Sequence, residues 1–320
     1  MIDAFQPGFY DSAAFEGLRT AGVSAVSVNC GYWEETTGAL DTLSRWRDLL
    51  AENANLAVFA RTAADIEAAE QSGRVAVLLG YQNIACLSGR IRFVELFADL
   101  GIRILQLSYN NQTEAGSSCY EAGDGGLTRF GRELVSELNR CGVLIDLSHV
   151  GEKTAFDTIE RSAAPVAVTH ANAASLFAHR RNKSDTLLKA LAEKGGVLGC
   201  ATYPNLAGER WSGSLAAWCE MVKRTVDIMG IAHVGIGTGR RYNGTPEQLE
   251  WARTGYWTRH RDFGAGAPGK ADFEPSPAWC QRLEDLGAIG DGLAGAGFSP
   301  AEVRLVLRDN WMRLFGATLH

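Results

Sequence analysis

No CxxC pair occurs among the seven cysteines of this 320-residue chain, Cys30, Cys86, Cys119, Cys141, Cys200, Cys219 and Cys280. That odd, scattered set argues against a zinc knuckle and gives no disulfide framework, so free thiols in a reducing compartment are expected. No apolar run approaches the roughly 20 residues that a membrane span needs. A positive field is missing too, since 31 Lys and Arg against 37 Asp and Glu leave a net charge of −6. Nucleic acid and anionic membrane both need a basic field, so neither is expected as a partner, and a small molecule is. Internal repeats and low-complexity linkers are absent, and no basic-then-apolar leader follows Met1. A cytoplasmic protein is the expectation.

What is present is a steady alternation of short apolar runs and amphipathic segments. Strand-like runs fall at Ile2–Phe5, Val23–Asn29, Val75–Tyr81, Ile102–Tyr109, Val143–His149, Pro165–His170, Val197–Thr202 and His233–Thr238. Leu56–Ala60 reads as a short strand outside the main set. Helical patterns cover Ala39–Asn53, Ala63–Gln71, Leu127–Arg140 and Leu215–Met229, and an amphipathic helix ends the chain. Near-continuous apolar strands, each followed by a helix, imply a parallel sheet covered on its outside. Eight such units over this length predict one domain, residues 1–320, folded as a (β/α)8 TIM barrel, with a doubly wound open sheet as the alternative. Residues 239–277 break the rhythm with glycines, prolines and several aromatics, which predicts an irregular insert over the barrel mouth.

The carboxyl ends of barrel strands converge on one pocket. Asn29, Gln82, Tyr109, His149, His170 and Thr238 fall there. His149 and His170, in DLSHV and VAVTHAN, end consecutive strands. Neighbouring parallel strands lie about 4.8 Å apart, so two imidazoles at matching heights can share one ion. Asp146 precedes His149 by three residues, so strand alternation turns it to the opposite face, as a supporting carboxylate and not a ligand. In the run His179–Asp185, an arginine could clamp a carboxylate bidentately, with Ser184 or Asp185 capping the next helix.

These motifs together resemble the membrane (renal) dipeptidase family of metallopeptidases, peptidase family M19, nearly end to end. The resemblance rests on GLTRFGRELV at 126–135, DLSHV at 146–150, THANA at 169–173, RNKSD at 181–185, GGVLG at 195–199, HVGIGT at 233–238 and NWMRLF at 310–315. It implies a metal-dependent hydrolase barrel that works on amide bonds and forms a homodimer. The family holds two bridged zinc ions, and its second-ion histidines correspond to His149 and His170. The N-terminal ligand motif here reads Asp3-Ala4-Phe5-Gln6-Pro7, and the bridging glutamate corresponds to Gln82. The catalytic aspartate falls at Gly239, and the family's strand-four active-site histidine is Tyr109. The carboxylate-binding arginine corresponds to Arg181, followed by Asn182.

Phenylalanine and proline offer no side-chain donor, so the first metal site is lost and a binuclear centre is not expected. One divalent ion, zinc, at His149, His170 and the Gln82 carbonyl is what remains. Asp3, Cys119, Glu34 and Glu35 are the residues that could supplement it. The leading expectation is a divergent dipeptidase-like hydrolase of a small amino-acid-derived or amide substrate. In it Tyr109, His149 and His170 are catalytic, and Arg181, Asn182, Tyr109, Arg240 and Arg241 bind substrate. A true dipeptidase with an atypical centre, and a non-catalytic metabolite- or partner-binding protein, stay open as alternatives.

Overall fold

The computed structural model describes residues 1–259 and 276–320. Nine parallel strands run in the order β1 (Ile2–Gln6), β2 (Ala25–Asn29), β3 (Ala57–Phe59), β4 (Val75–Tyr81), β5 (Ile102–Gln106), β6 (Leu144–Asp146), β7 (Ala167–Ala171), β8 (Val197–Cys200) and β9 (Val234–Ile236). Eight of them close a barrel, because β2 pairs directly with β4 and β9 pairs back to β1 through Asp3 and Ile236. The fold is therefore the expected (β/α)8 barrel. β3 pairs only with Val75–Val77 at the start of β4 and stays outside the closed set, as its isolated apolar run suggests.

Helices follow most strands and cover the outside. Several begin on side-chain caps, among them Thr128, which accepts from Gly131 N–H, Ser184 from Leu187 N–H and Ser214 from Ala217 N–H. Each cap satisfies one of the donors that a helix start leaves open. One buried cluster takes Ile2, Ala4, Ala25, Ala76, Leu78, Ile104, Leu144, Ala167 and Val197 from seven strands, with Trp311 and Phe315 of the last helix. The Trp311 indole N–H donates to the Ile236 carbonyl at 3.0 Å and fixes that helix under β9.

Several strands are shorter than the apolar runs that predict them. β5 stops at Gln106 and β6 at Asp146, so Tyr109 and His149 sit three residues beyond their strands. His170 lies within β7. Glycine lets β8 and the residue after β9 pack against β7 beside it: a Cβ on Gly199 or Gly237 would stand 2.0 or 1.7 Å from the Thr169 carbonyl oxygen. The 239–277 segment is less irregular than expected, because Pro246–Thr254 forms a helix capped by Thr245. His260 and Phe263 of that segment lie outside the described residues.

Candidate active site

At the carboxyl ends of the strands opens a cavity of about 340 Å³. Phe5, Gln82, Tyr109, His149, His170, Arg181, Arg240 and Arg241 all line it, as do Pro7 and Gly239. The other residues expected there fall short of it: Asn29 accepts from Gly31 N–H, Thr238 is bonded to Asp3, and Asn182 stands apart.

His149 gets there through a local turn. Asp146 accepts hydrogen bonds from the Ser148 N–H at 3.0 Å and its hydroxyl at 2.6 Å, the bend that aspartate favours after a strand. Contrary to strict alternation, Asp146 faces inward, lining a small internal cavity with Ser27, Gln82 and Gln106. The turn beyond the strand end is the reason. The same carboxylate accepts from the Thr169 hydroxyl at 2.7 Å, and Thr169 Oγ1 lies 2.8 Å from His170 Nδ1. With its own proton committed to Asp146, that hydroxyl can only accept from His170 Nδ1–H. On the other ring, His149 Nδ1 stands 2.9 Å from Asn110 Oδ1, which can only accept. Both imidazoles thus carry their proton on Nδ1 and present an Nε2 lone pair to the cavity.

Those two Nε2 atoms are 3.3 Å apart. The Gln82 amide nitrogen is 3.3 Å from one and 3.4 Å from the other. Burial, and then the Arg181 charge, hold both histidines well below the usual imidazole range, so they stay neutral. Phe5 stacks on His170 with ring centroids 3.9 Å apart and 13° between planes. It lies where the pairing of β1 and β2 slips, between Asp3 and Gln6. Tyr109 packs on His149 at 4.3 Å and on Tyr32 at 5.0 Å. Burial, and then Tyr32, push its hydroxyl well above the usual phenol value, so it is a proton donor at neutral pH.

The arginines are fixed by backbone carbonyls. Arg181 donates to the carbonyls of Ser148 and, at 2.9 Å, His170. Arg240 donates to those of Cys280 at 2.7 Å, Gln281, and Arg282 at 2.8 Å. Arg241 reaches the Tyr32 hydroxyl at 3.0 Å. Asn182 stands away from the lining: its amide donates to the carbonyls of Phe177 and Leu206, both at 2.8 Å, and its oxygen accepts from Asn172 N–H.

None of the candidate supplementary ligands lines the cavity. Asp3 is taken up by Thr238 and Gln6. Glu34 accepts from the N–H groups of Tyr32 and Trp33 and from the Trp251 indole. Glu35 lines a neighbouring cavity, and the Cys119 N–H donates to the His149 carbonyl. Among the described residues, no group of three or more His, Cys, Asp or Glu comes together.

Sequence reasoning missed Tyr32, Tyr120, His179, Tyr203 and Asn205, which also line the cavity. Tyr203 follows β8 by three residues and Tyr32 follows β2 by three, the same spacing as Tyr109 after β5. Counting a few residues past each strand would have found both.

Residues 13–252 match the model of membrane dipeptidases, peptidase family M19. The chain is 28% identical over 227 residues to the dipeptidase aclJ of Aspergillus oryzae, covering 70% of this chain and 49% of that protein. It is 32% identical over 181 residues to the dipeptidase verJ of Clonostachys rogersoniana, covering 56% and 46%. The chain thus spans about half the length of these curated relatives. The solved amidohydrolase from Pseudomonas aeruginosa superposes with a TM-score of 0.92 at 30% identity, covering 99% of this chain and 96% of that one. A metallo peptidase from Rhodobacter sphaeroides, liganded with a phosphinate mimic of L-Ala-D-Ala, shares the fold with a TM-score of 0.79 at 18% identity and 99% coverage of both chains. Among the described residues, no helix is long and apolar enough to cross a membrane.

Proposed function

The chain belongs to the membrane dipeptidase family, peptidase family M19, and on that premise we propose that it is a divergent hydrolase of a small amide or amino-acid-derived carboxylate, served by at most one divalent ion. The observation that carries this reading is the triangle of His149 Nε2, His170 Nε2 and the Gln82 amide, with sides of 3.3, 3.3 and 3.4 Å. Ligands about 2.0–2.1 Å from a tetrahedral zinc are separated by about 3.3 Å, so the triangle fits one such ion if Gln82 turns its carbonyl inward. A second ion does not fit. Phe5 and Pro7 hold its expected place with carbon, and Gly239 provides no carboxylate.

His149, His170 and the Gln82 carbonyl would hold the ion, which when bound would supply Lewis-acid polarisation of the scissile carbonyl. The chain's own residues do the rest. Asn110 and the Thr169–Asp146 pair fix the two imidazole rings and their tautomers. Tyr109 keeps its proton and donates a hydrogen bond to charge developing on oxygen, while Arg181, Arg240 and Arg241 draw a carboxylate into the cavity. The insert that contributes Gly239–Arg241 and Gly244, and Ser276 and Pro277 at its far end, acts as a wall over the mouth. We also propose that it works in the cytoplasm, which its scattered free cysteines favour, and as a homodimer, which the family resemblance suggests.

One observation favours a second reading, a binding protein without turnover. With its amide nitrogen inward, Gln82 can donate one proton to each histidine lone pair and satisfy both with no ion. Incubating zinc-loaded protein and its His149→Ala variant with a panel of acylated amino acids, dipeptides and simple amides separates the two. Amine release by the parent alone supports the hydrolase; binding with no release from any compound supports the binder.

A further inference from the structure

Two guanidinium groups stand at the cavity with no carboxylate bonded to them among the described residues. Arg181 is only 3% exposed and Arg240 8% exposed. The hydrogen bonds that hold their terminal nitrogens go to backbone carbonyls, and in the case of Arg240 also to the Cys280 sulfur. Carbonyl dipoles orient a cation but do not neutralise it. A buried cation of this kind is costly unless an anion arrives to meet it. Arg181 uses two of its five side-chain donors on carbonyls, and the residue lines the cavity.

Among the described residues that line the cavity there is no Asp and no Glu. The acids near it are committed elsewhere: Asp3 to Thr238 and Gln6, Asp146 to Ser148 and Thr169, Glu34 to the backbone of Tyr32 and Trp33 and to Trp251. The same lining carries five aromatic rings, from Phe5, Tyr32, Tyr109, Tyr120 and Tyr203. A dipeptide or free amino acid would bring an α-ammonium group into this cavity. Among the described lining residues it would find fixed positive charge and no carboxylate.

We propose that the cavity selects carboxylates whose nitrogen is acylated, N-acyl amino acids with an apolar or aromatic side chain, over dipeptides bearing a free amino terminus. The proposal rests on the hydrolase reading of this cavity and narrows its substrate class. Hydrolysis of such a molecule breaks the acyl C–N bond. The oxygen of water goes to the acyl carbon and both its protons go to the nitrogen, leaving a carboxylate and an amino acid with a charged ammonium group. The released amino acid then carries the ammonium group that the wall disfavours, which promotes its departure.

The test is isothermal titration of the zinc-loaded protein with N-acetylphenylalanine and with glycylphenylalanine, each as both phenylalanine enantiomers, with amine release followed in parallel. The two share a carboxylate, a benzyl group and an amide and differ in the free amine. The N-acetyl compound of at least one enantiomer should bind about tenfold tighter or more, since bringing like charges together in a partly desolvated site costs at least that much. Equal or tighter binding of glycylphenylalanine overturns the inference, and its cleavage would leave the hydrolase reading standing. Tighter binding of the N-acetyl compound without amine release supports the ligand class and counts against the hydrolase reading. Binding of neither overturns the inference.

Discussion

His149 Nε2 and His170 Nε2 face each other across 3.3 Å with both imidazole protons committed on the far side of the rings. Two lone pairs at that distance repel unless something positive lies between them. A proton donor from Gln82 or a metal ion can fill that role, and the identity of residue 82 decides how strongly the metal competes.

Gln82→Glu should therefore tighten zinc binding about tenfold or more, because a charged oxygen replaces a neutral amide beside a dication. Competition against a chelating dye reads this directly. Unchanged affinity would mean that residue 82 takes no part in holding the ion.

The fold was legible because its signal is repeated: eight apolar runs spaced by amphipathic segments leave few ways to bury both faces of the strands. His149 and His170 were legible for a related reason, since polar residues at the ends of apolar strands stand out. The Asp146 turn was not, because a period of two assumes that a strand continues, and β6 ends at Asp146. Asn182 was misplaced by its neighbour. It follows Arg181 in the chain, yet its amide is consumed by the carbonyls of Phe177 and Leu206. Tyr203 and Tyr32 carry no motif of their own and become visible only when the barrel brings the strand ends together.

Phe5 packs flat on His170 and is mostly buried. Phe5→Ala should cost about 3 kcal/mol, the low end for a large aromatic because the site opens onto a cavity that water can enter. Denaturant unfolding measures it. Phe5→His should not create a second metal site, since Pro7 still offers no donor, and a second equivalent of zinc in that variant would refute the structural argument.

Asp3 closes the barrel. It accepts from Thr238 N–H at 2.9 Å, the Thr238 hydroxyl at 2.6 Å and the Gln6 amide at 2.6 Å, all buried. Asp3→Ala strands those donors and should destabilise the fold by about 3 kcal/mol or more, again by denaturant unfolding. A loss below about 1 kcal/mol would show that the β1–β9 seam does not depend on it.

His179 lines the cavity, and burial and then the Arg181 charge lower its pKa from 6.5 to about 4. Between those values the unfolded chain binds a proton that the folded chain refuses. The contribution is complete above pH 6.5 and disappears as the pH falls toward 4; burial shifts His149 and His170 in the same direction. The melting temperature should fall across that window, and less steeply in His179→Gln. Identical slopes for the two proteins would contradict the assignment.

The most direct measurement is the metal content of tag-free protein by plasma mass spectrometry after dialysis against zinc, for the parent and His149→Ala. One equivalent in the parent, lost in the variant, is the predicted result. Two equivalents in the parent, or one retained in the variant, would contradict a single-ion site at His149, His170 and Gln82.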